Sequence, residues 1–197
     1  MPSSFSELTA LIPSIGAVIL TAAAVKWLDA WIDAEYPAAS IRGGAAYSLL
    51  AIMLAAILDA RLTAALFTAC YIVGMFLNMR LILPSGMPGW LESLLVFTFA
   101  GVYCGFVTAF WAVLVIFSVQ LIDDLLDYQF DQQQGRCNIV REQGVERTMI
   151  LFAFCFYISV LIEPFLSVLV FASALIVANA VFRPQKGEEL HARTDQV

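Results

Sequence analysis

Seven apolar stretches, set apart by charged residues, glycine or proline, run through this chain at 9–28, 44–58, 62–79, 90–103, 104–122, 148–162 and 164–182. A helix that crosses a bilayer needs about 20 predominantly apolar residues, so the pattern predicts an all-α bundle of about seven transmembrane helices. That bundle forms one domain over 1–182, and Arg183 to Val197 follow as a polar cytoplasmic tail. Composition agrees, with 61% hydrophobic and 13% charged residues in a chain of 197; soluble domains run near half apolar and about a quarter charged. Met1 to Thr9 carry no positive n-region, and the apolar run behind them is too long for a signal peptide. The first stretch is therefore expected to stay as a membrane helix.

The breaks between stretches are marked by residues that end helices. Gly101 and Gly105 offer a turn inside 90–122, which as one helix would overshoot a hydrocarbon core of about 30 Å. Asp59 with Arg61, and Glu163 with Pro164, mark two more tight turns. Positive charge stays cytoplasmic. With seven spans and an outside N-terminus, Lys26, Arg42, Arg80, Arg136, Arg141, Arg147, Arg183, Lys186 and Arg193 lie inside, and Arg61 alone lies outside. Cys70, Cys104, Cys137 and Cys155 lack metal or redox spacing and read as small packing residues.

Two acidic clusters fall on the predicted cytoplasmic side. Asp123, Asp124, Asp127 and Asp131 close the fifth stretch, and positions 124, 127 and 131 share one face of a continuing helix. Asp29 and Asp33, with Glu35 behind them, close the first. Stacked like charges are costly unless a cation occupies them. Oxygen-only clusters without His or Cys suit hard cations, and Mg²⁺ is usually held by a few carboxylates plus substrate phosphates. The ligand so implied is a metal-bound phosphate or diphosphate. Net charge is −6 and gives no basis for nucleic-acid binding.

The run Asp123-Asp124-Leu125-Leu126-Asp127-Tyr128-Gln129-Phe130-Asp131, then Gly135 and Gly144, resembles the second aspartate-rich motif of UbiA-type membrane prenyltransferases, N-D-x-x-D-x-x-x-D-x-x-x-G. The stretch from Val25 to Pro37, with Arg42 after it, is similar to the first motif through Asp29 and Asp33, but has Lys26 where that motif has Asp. Phe76-x-x-x-Arg80 looks like the family's Tyr-x-x-x-Lys. The resemblance implies the core of a nine-helix fold without its first and last helices. It also implies Mg²⁺-dependent ionisation of a polyprenyl diphosphate donor and transfer of the prenyl chain to an aromatic or hydroxyl acceptor. Asp29, Asp33, Asp124, Asp127 and Asp131 would then converge as catalytic and metal-binding carboxylates, with Asp123 as a further metal ligand.

Within that chemistry, Arg42, Arg80, Arg136 and Arg141 are the candidate diphosphate clamps, because guanidinium donors match phosphate oxygens. Tyr71, Phe76, Tyr103, Trp111, Tyr128 and Phe130 are the aromatic faces available to shield an allylic cation. His191, the one histidine, lies in the polar tail, and no Walker loop, nucleophile elbow or zincin motif occurs. Three other readings remain open at this point: a terpene cyclase of the same fold, a non-catalytic accessory membrane subunit, and a cation or proton carrier. Reduced helix number also raises the expectation of a lateral opening among membrane lipids, or of a homo-oligomer that covers it.

Overall fold

The computed structural model describes residues 5–32, 44–76, 79–129, 132 and 138–177, with side chains along the first helix described over 11–28. Among the described residues it is all-helical: α1 (Phe5–Ile32), α2 (Gly44–Leu58), α3 (Ala60–Gly74), α4 (Gly89–Cys104), α5 (Phe106–Leu126), α6 (Ile139–Gln143), α7 (Val145–Ile162) and α8 (Pro164–Val177). Three helices are long and apolar enough to cross a membrane: α1 over Leu11–Leu28, α5 and α7. The apolar helices α2, α3, α4 and α8 are shorter. The sequence breaks fall where expected, with α2 and α3 parted by Asp59, α4 and α5 by Gly105, and α7 and α8 by Glu163. At each of the three, the joint residue's N–H still donates to the carbonyl four residues back, to Ala55, Gly101 and Ser159.

The chain divides into two compact units, one of residues 1–59 with 172–197, the other Ala60–Phe171. In the first, α1 and α2 run antiparallel. Trp27 meets Tyr47 with ring centroids 6.3 Å apart, and at the other end Ser14 Oγ donates to Asp59 Oδ2 at 3.0 Å. Ala17, Thr21 and Ala24 on α1, and Ser48, Ala51 and Ala55 on α2, are buried at i, i+3/i+4, i+7 spacing, with Val18 buried beside Ala17. Large side chains of α2, among them Leu49, Leu50, Met53 and Ile57, are exposed. Small residues inside and large ones outside is the arrangement of helices packed in lipid, where close backbone approach replaces hydrophobic burial.

The second unit alternates direction from helix to helix. The Cys104 thiol donates to the Arg61 carbonyl at 3.3 Å, tying the start of α3 to the end of α4, and Tyr71 near the end of α3 lies beside Glu92 at the start of α4. Trp111 Nε1 donates to Ser167 Oγ at 2.8 Å, and Ser167 Oγ donates to the Glu163 carbonyl at 2.7 Å, so α5 begins beside the joint after α7. One end of this unit thus carries Arg61, Gly105 and Glu163, and the other carries Arg80, Glu92, Asp123, Asp124, Asp127, Arg141 and Arg147. Basic residues concentrate at the second end.

Gly105 makes its reversal with φ 98° and ψ 138°, a region that residues with a Cβ rarely occupy. Phe106 turns back against Phe97, with ring centroids 6.3 Å apart, and a Cβ at Gly101 would run into the Phe106 ring. At Gly105 itself the nearest atom to an added Cβ is Thr108 Oγ1 at 3.9 Å, so the constraint is torsional, not spatial. Gly105→Ala is expected to destabilise the fold by about 1–3 kcal/mol, while Gly74→Ala, with open space around it and no positive φ, serves as the silent control. Thermal unfolding of both variants in detergent checks this.

Candidate functional site

The buried side of α5 runs Ala112, Val115, Ser118, Leu121 and then Asp124. Asp124 continues the inward stripe, and its carboxylate is engaged on both oxygens: Gln120 Nε2 donates to Oδ1 at 2.7 Å, and the Ile139 N–H donates to Oδ2 at 2.9 Å. Its backbone carbonyl accepts from Asn138 Nδ2 at 2.9 Å. Asn138, itself buried, caps α6 by accepting from the Val140 N–H at 2.8 Å. Asp124 and Asn138 therefore lock the start of α6 onto the end of α5, fixing both ends of the 127–138 connection.

Of the face expected through 124, 127 and 131, positions 124 and 127 lie among the described residues. α5 ends at Leu126 and Asp127 is its C-cap, with φ −92° and ψ 2° and its N–H on the Asp123 carbonyl. Asp123 and Asp127 are half-buried where Asp124 is buried, so the cluster splits into one inward and two outward carboxylates. Asp131, Gly135, Arg136, Phe130 and Cys137 lie outside the described residues, as do Asp33, Glu35, Arg42, the tail from 178 onward and the Asp29 side chain. Convergence of Asp29 and Asp33 with the second cluster falls outside what is described.

Among the described residues no three His, Cys, Asp or Glu side chains come together as a metal-holding group. Asp123 and Asp127 still match Mg²⁺ in chemistry, since this ion commonly takes one or two carboxylates and completes its shell with water and substrate phosphate. Arg141 on α6 and Arg80 before α4 are exposed at the same end of the unit. α3 stops at Gly74, short of the predicted 79, so Phe76 and Arg80 do not share a turn of α3. Phe76 instead packs edge-on against Phe117, centroids 5.2 Å apart.

The aromatic candidates do not gather at one place. Tyr71 and Phe76 lie toward the acidic end. Tyr103 is exposed at the Gly105 end, and Trp111 is fully buried with its indole N–H bonded to Ser167, which makes it a core residue. Cys70, Cys104 and Cys155 lie within α3, α4 and α7, the first two half-buried and Cys155 buried. Asn138 was the functional-end residue with a readable signal that spacing of acids alone passes over: an Asn just before Ile-Val begins a helix. No protein-family model, curated protein sequence or solved structure matches the chain.

Asp124→Ala is expected to free the Ile139 N–H and the Gln120 amide inside the bundle, costing about 1–3 kcal/mol and loosening the 127–138 connection. Asp124→Asn keeps a carbonyl for one of the two donors and is expected to fall between Ala and the native residue. Hydrogen exchange at the Ile139 and Val140 amides reads the loosening directly; unchanged protection in Asp124→Ala would remove the lock.

Proposed function

We propose that this chain is a compact Mg²⁺-dependent intramembrane prenyltransferase that ionises a polyprenyl diphosphate and passes the prenyl chain to an aromatic or hydroxyl acceptor. The observation that carries the reading is the outward pair Asp123 and Asp127 at the end of a membrane-length apolar helix, beside the Asp124–Asn138 lock and on the Arg-bearing end of its unit. The D-D-x-x-D-x-x-x-D spacing from 123 to 131 supports it. In this reading all seven apolar helices span the bilayer, the N-terminus is outside, the acidic end faces the cytoplasm, and the helices form a UbiA-type core with fewer members.

Asp123 and Asp127, with Asp131, would hold Mg²⁺, whose charge, when bound, would offset that building on a leaving diphosphate. Asp124 acts through Ile139 and Asn138, holding the connection that bears Arg136 and leads to Arg141. Arg80, Arg136 and Arg141 bind the diphosphate oxygens, the first from the α3–α4 side and the others from the α5–α7 side. Asp29 and Asp33, with Arg42, are assigned the same kinds of role from the sequence and form a separate arm of the mutational test. The apolar helices exclude water from the ionised chain.

A second reading, an accessory membrane subunit without turnover, is favoured by Lys26 in the first motif and by the internal bonds that occupy the Asp124 carboxylate. Purified protein incubated with farnesyl or geranylgeranyl diphosphate, with Mg²⁺ and with EDTA, separates the two. The transferase releases diphosphate only with Mg²⁺, and the mass of the lipid product distinguishes transfer from cyclisation. Absence of release from folded protein across donors and acceptors selects the accessory subunit.

A further inference from the structure

Between α3 and α4, in the interval that the sequence leaves between the third and fourth apolar stretches, the backbone forms a small antiparallel hairpin. The Leu83 N–H donates to the Met87 carbonyl, Gly89 to Leu81 and Trp90 to Met79, at 2.9, 3.0 and 2.9 Å, with Ile82 and Pro88 bridged and Gly86 turning at φ 80°. A hairpin whose sides face water and core alternates polar with apolar. This one does not: successive residues Leu81 and Ile82 point to opposite sides, yet they are 57% and 78% exposed, and Trp90 at its base is 52% exposed.

Three observations say what covers these side chains. First, the exposed stripe of α4 passes from Val102 and Phe99 through Leu95 and Leu94 to Trp90, and Leu81 and Ile82 continue it without a polar interval. Second, α4 has 16 residues, about 24 Å at 1.5 Å per residue, which leaves it about 6 Å short of a 30 Å hydrocarbon core. Two extended residues at about 3.3 Å each supply that height. Third, the polar groups are prepared for low-dielectric surroundings. The ladder pairs the N–H groups of Leu83, Gly89 and Trp90 and the turn pairs that of Gly86, the Ser85 hydroxyl accepts from the Met87 N–H at 3.3 Å, and the Glu92 carboxylate accepts from the Ser85 hydroxyl at 3.4 Å. Polar backbone enters lipid only when so paired.

We propose that the 79–90 hairpin lies in the bilayer, at the boundary of acyl chains and headgroups, where it makes up the missing hydrophobic thickness of α3 and α4. Trp90 sits in the aromatic belt and Arg80 reaches a lipid phosphate. This holds whether or not the chain turns over a prenyl donor, and it gives Arg80 a partner other than a diphosphate substrate.

The test places single nitroxide labels by Ile82→Cys, Leu94→Cys and Glu146→Cys, with the four native cysteines replaced, in phosphatidylcholine–phosphatidylglycerol vesicles. Collision with oxygen is compared with collision with a water-soluble nickel chelate. The label at 82 is expected to follow the lipid-facing label at 94, with oxygen dominant. Nickel dominance at 82, matching the label at 146, overturns the proposal, and so does shielding of 82 from both reagents, which would mean cover by protein. If the cysteine-free background does not fold, native protein and Trp90→Phe are compared for fluorescence quenching by lipids brominated near the headgroup. Loss of a quenched component in Trp90→Phe supports the proposal, and identical quenching in both proteins overturns it.

Discussion

Asp127→Ala is expected to lower Mg²⁺-dependent diphosphate release by at least about 100-fold, the scale at which a single group stabilising transition-state charge is lost, while leaving the helical content unchanged. Asp127 is the half-buried C-cap of α5, and the bond from its backbone N–H to the Asp123 carbonyl survives in Ala. Asp124→Ala is the informative partner. It is expected to lose turnover together with amide protection at 139 and 140, since its carboxylate acts through the α6 lock. Full turnover in Asp127→Ala, with Asp131→Ala behaving alike, would mean that the second cluster holds no metal.

The largest effect on stability is expected at Trp111. It is the largest fully buried side chain, and its indole N–H closes the relay through Ser167 to the Glu163 carbonyl. Trp111→Ala removes a whole aromatic from a close-packed core, about 3–5 kcal/mol on the scale of such deletions. Trp111→Phe keeps most of the packing and loses one hydrogen bond, about 1 kcal/mol. Unfolding in mixed detergent micelles should rank them native, Phe, Ala. Equal loss in both variants would assign the effect to the hydrogen bond, and no loss in either would remove Trp111 from the core.

The joints were legible because each sets an uncommon residue in an apolar run: Asp59, Gly105 and Glu163 end helices for reasons of charge or torsion that a linear reading contains. Asp124 was less so. Its spacing to Asp127 and Asp131 groups the three on one face for metal binding, whereas the residues before it, Ala112, Val115, Ser118 and Leu121, lead it into the helix packing, where its carboxylate is taken up by Gln120 and Ile139. Helical periodicity names which residues lie together and is silent on which side is covered. The hairpin escaped for a different reason: Leu81, Ile82 and Leu83 fall between the stretches 62–79 and 90–103, and only the cross-chain bonds from Leu83, Gly89 and Trp90 reveal paired backbone there, after a helix that has already stopped at Gly74.

The pairing of α1 with α2 through alanine, serine and threonine inverts the usual map of tolerated change. On the outer surface, with α2 in the bilayer as proposed above, Leu50, Met53 or Ile57 could be exchanged for any apolar side chain of whatever bulk, since fluid acyl chains would reshape around it. At Ala51, Ala55 or Ala17 one added methyl pries two backbones apart. A saturation library of this helical pair should therefore show size forbidden on the inside and charge forbidden on the outside.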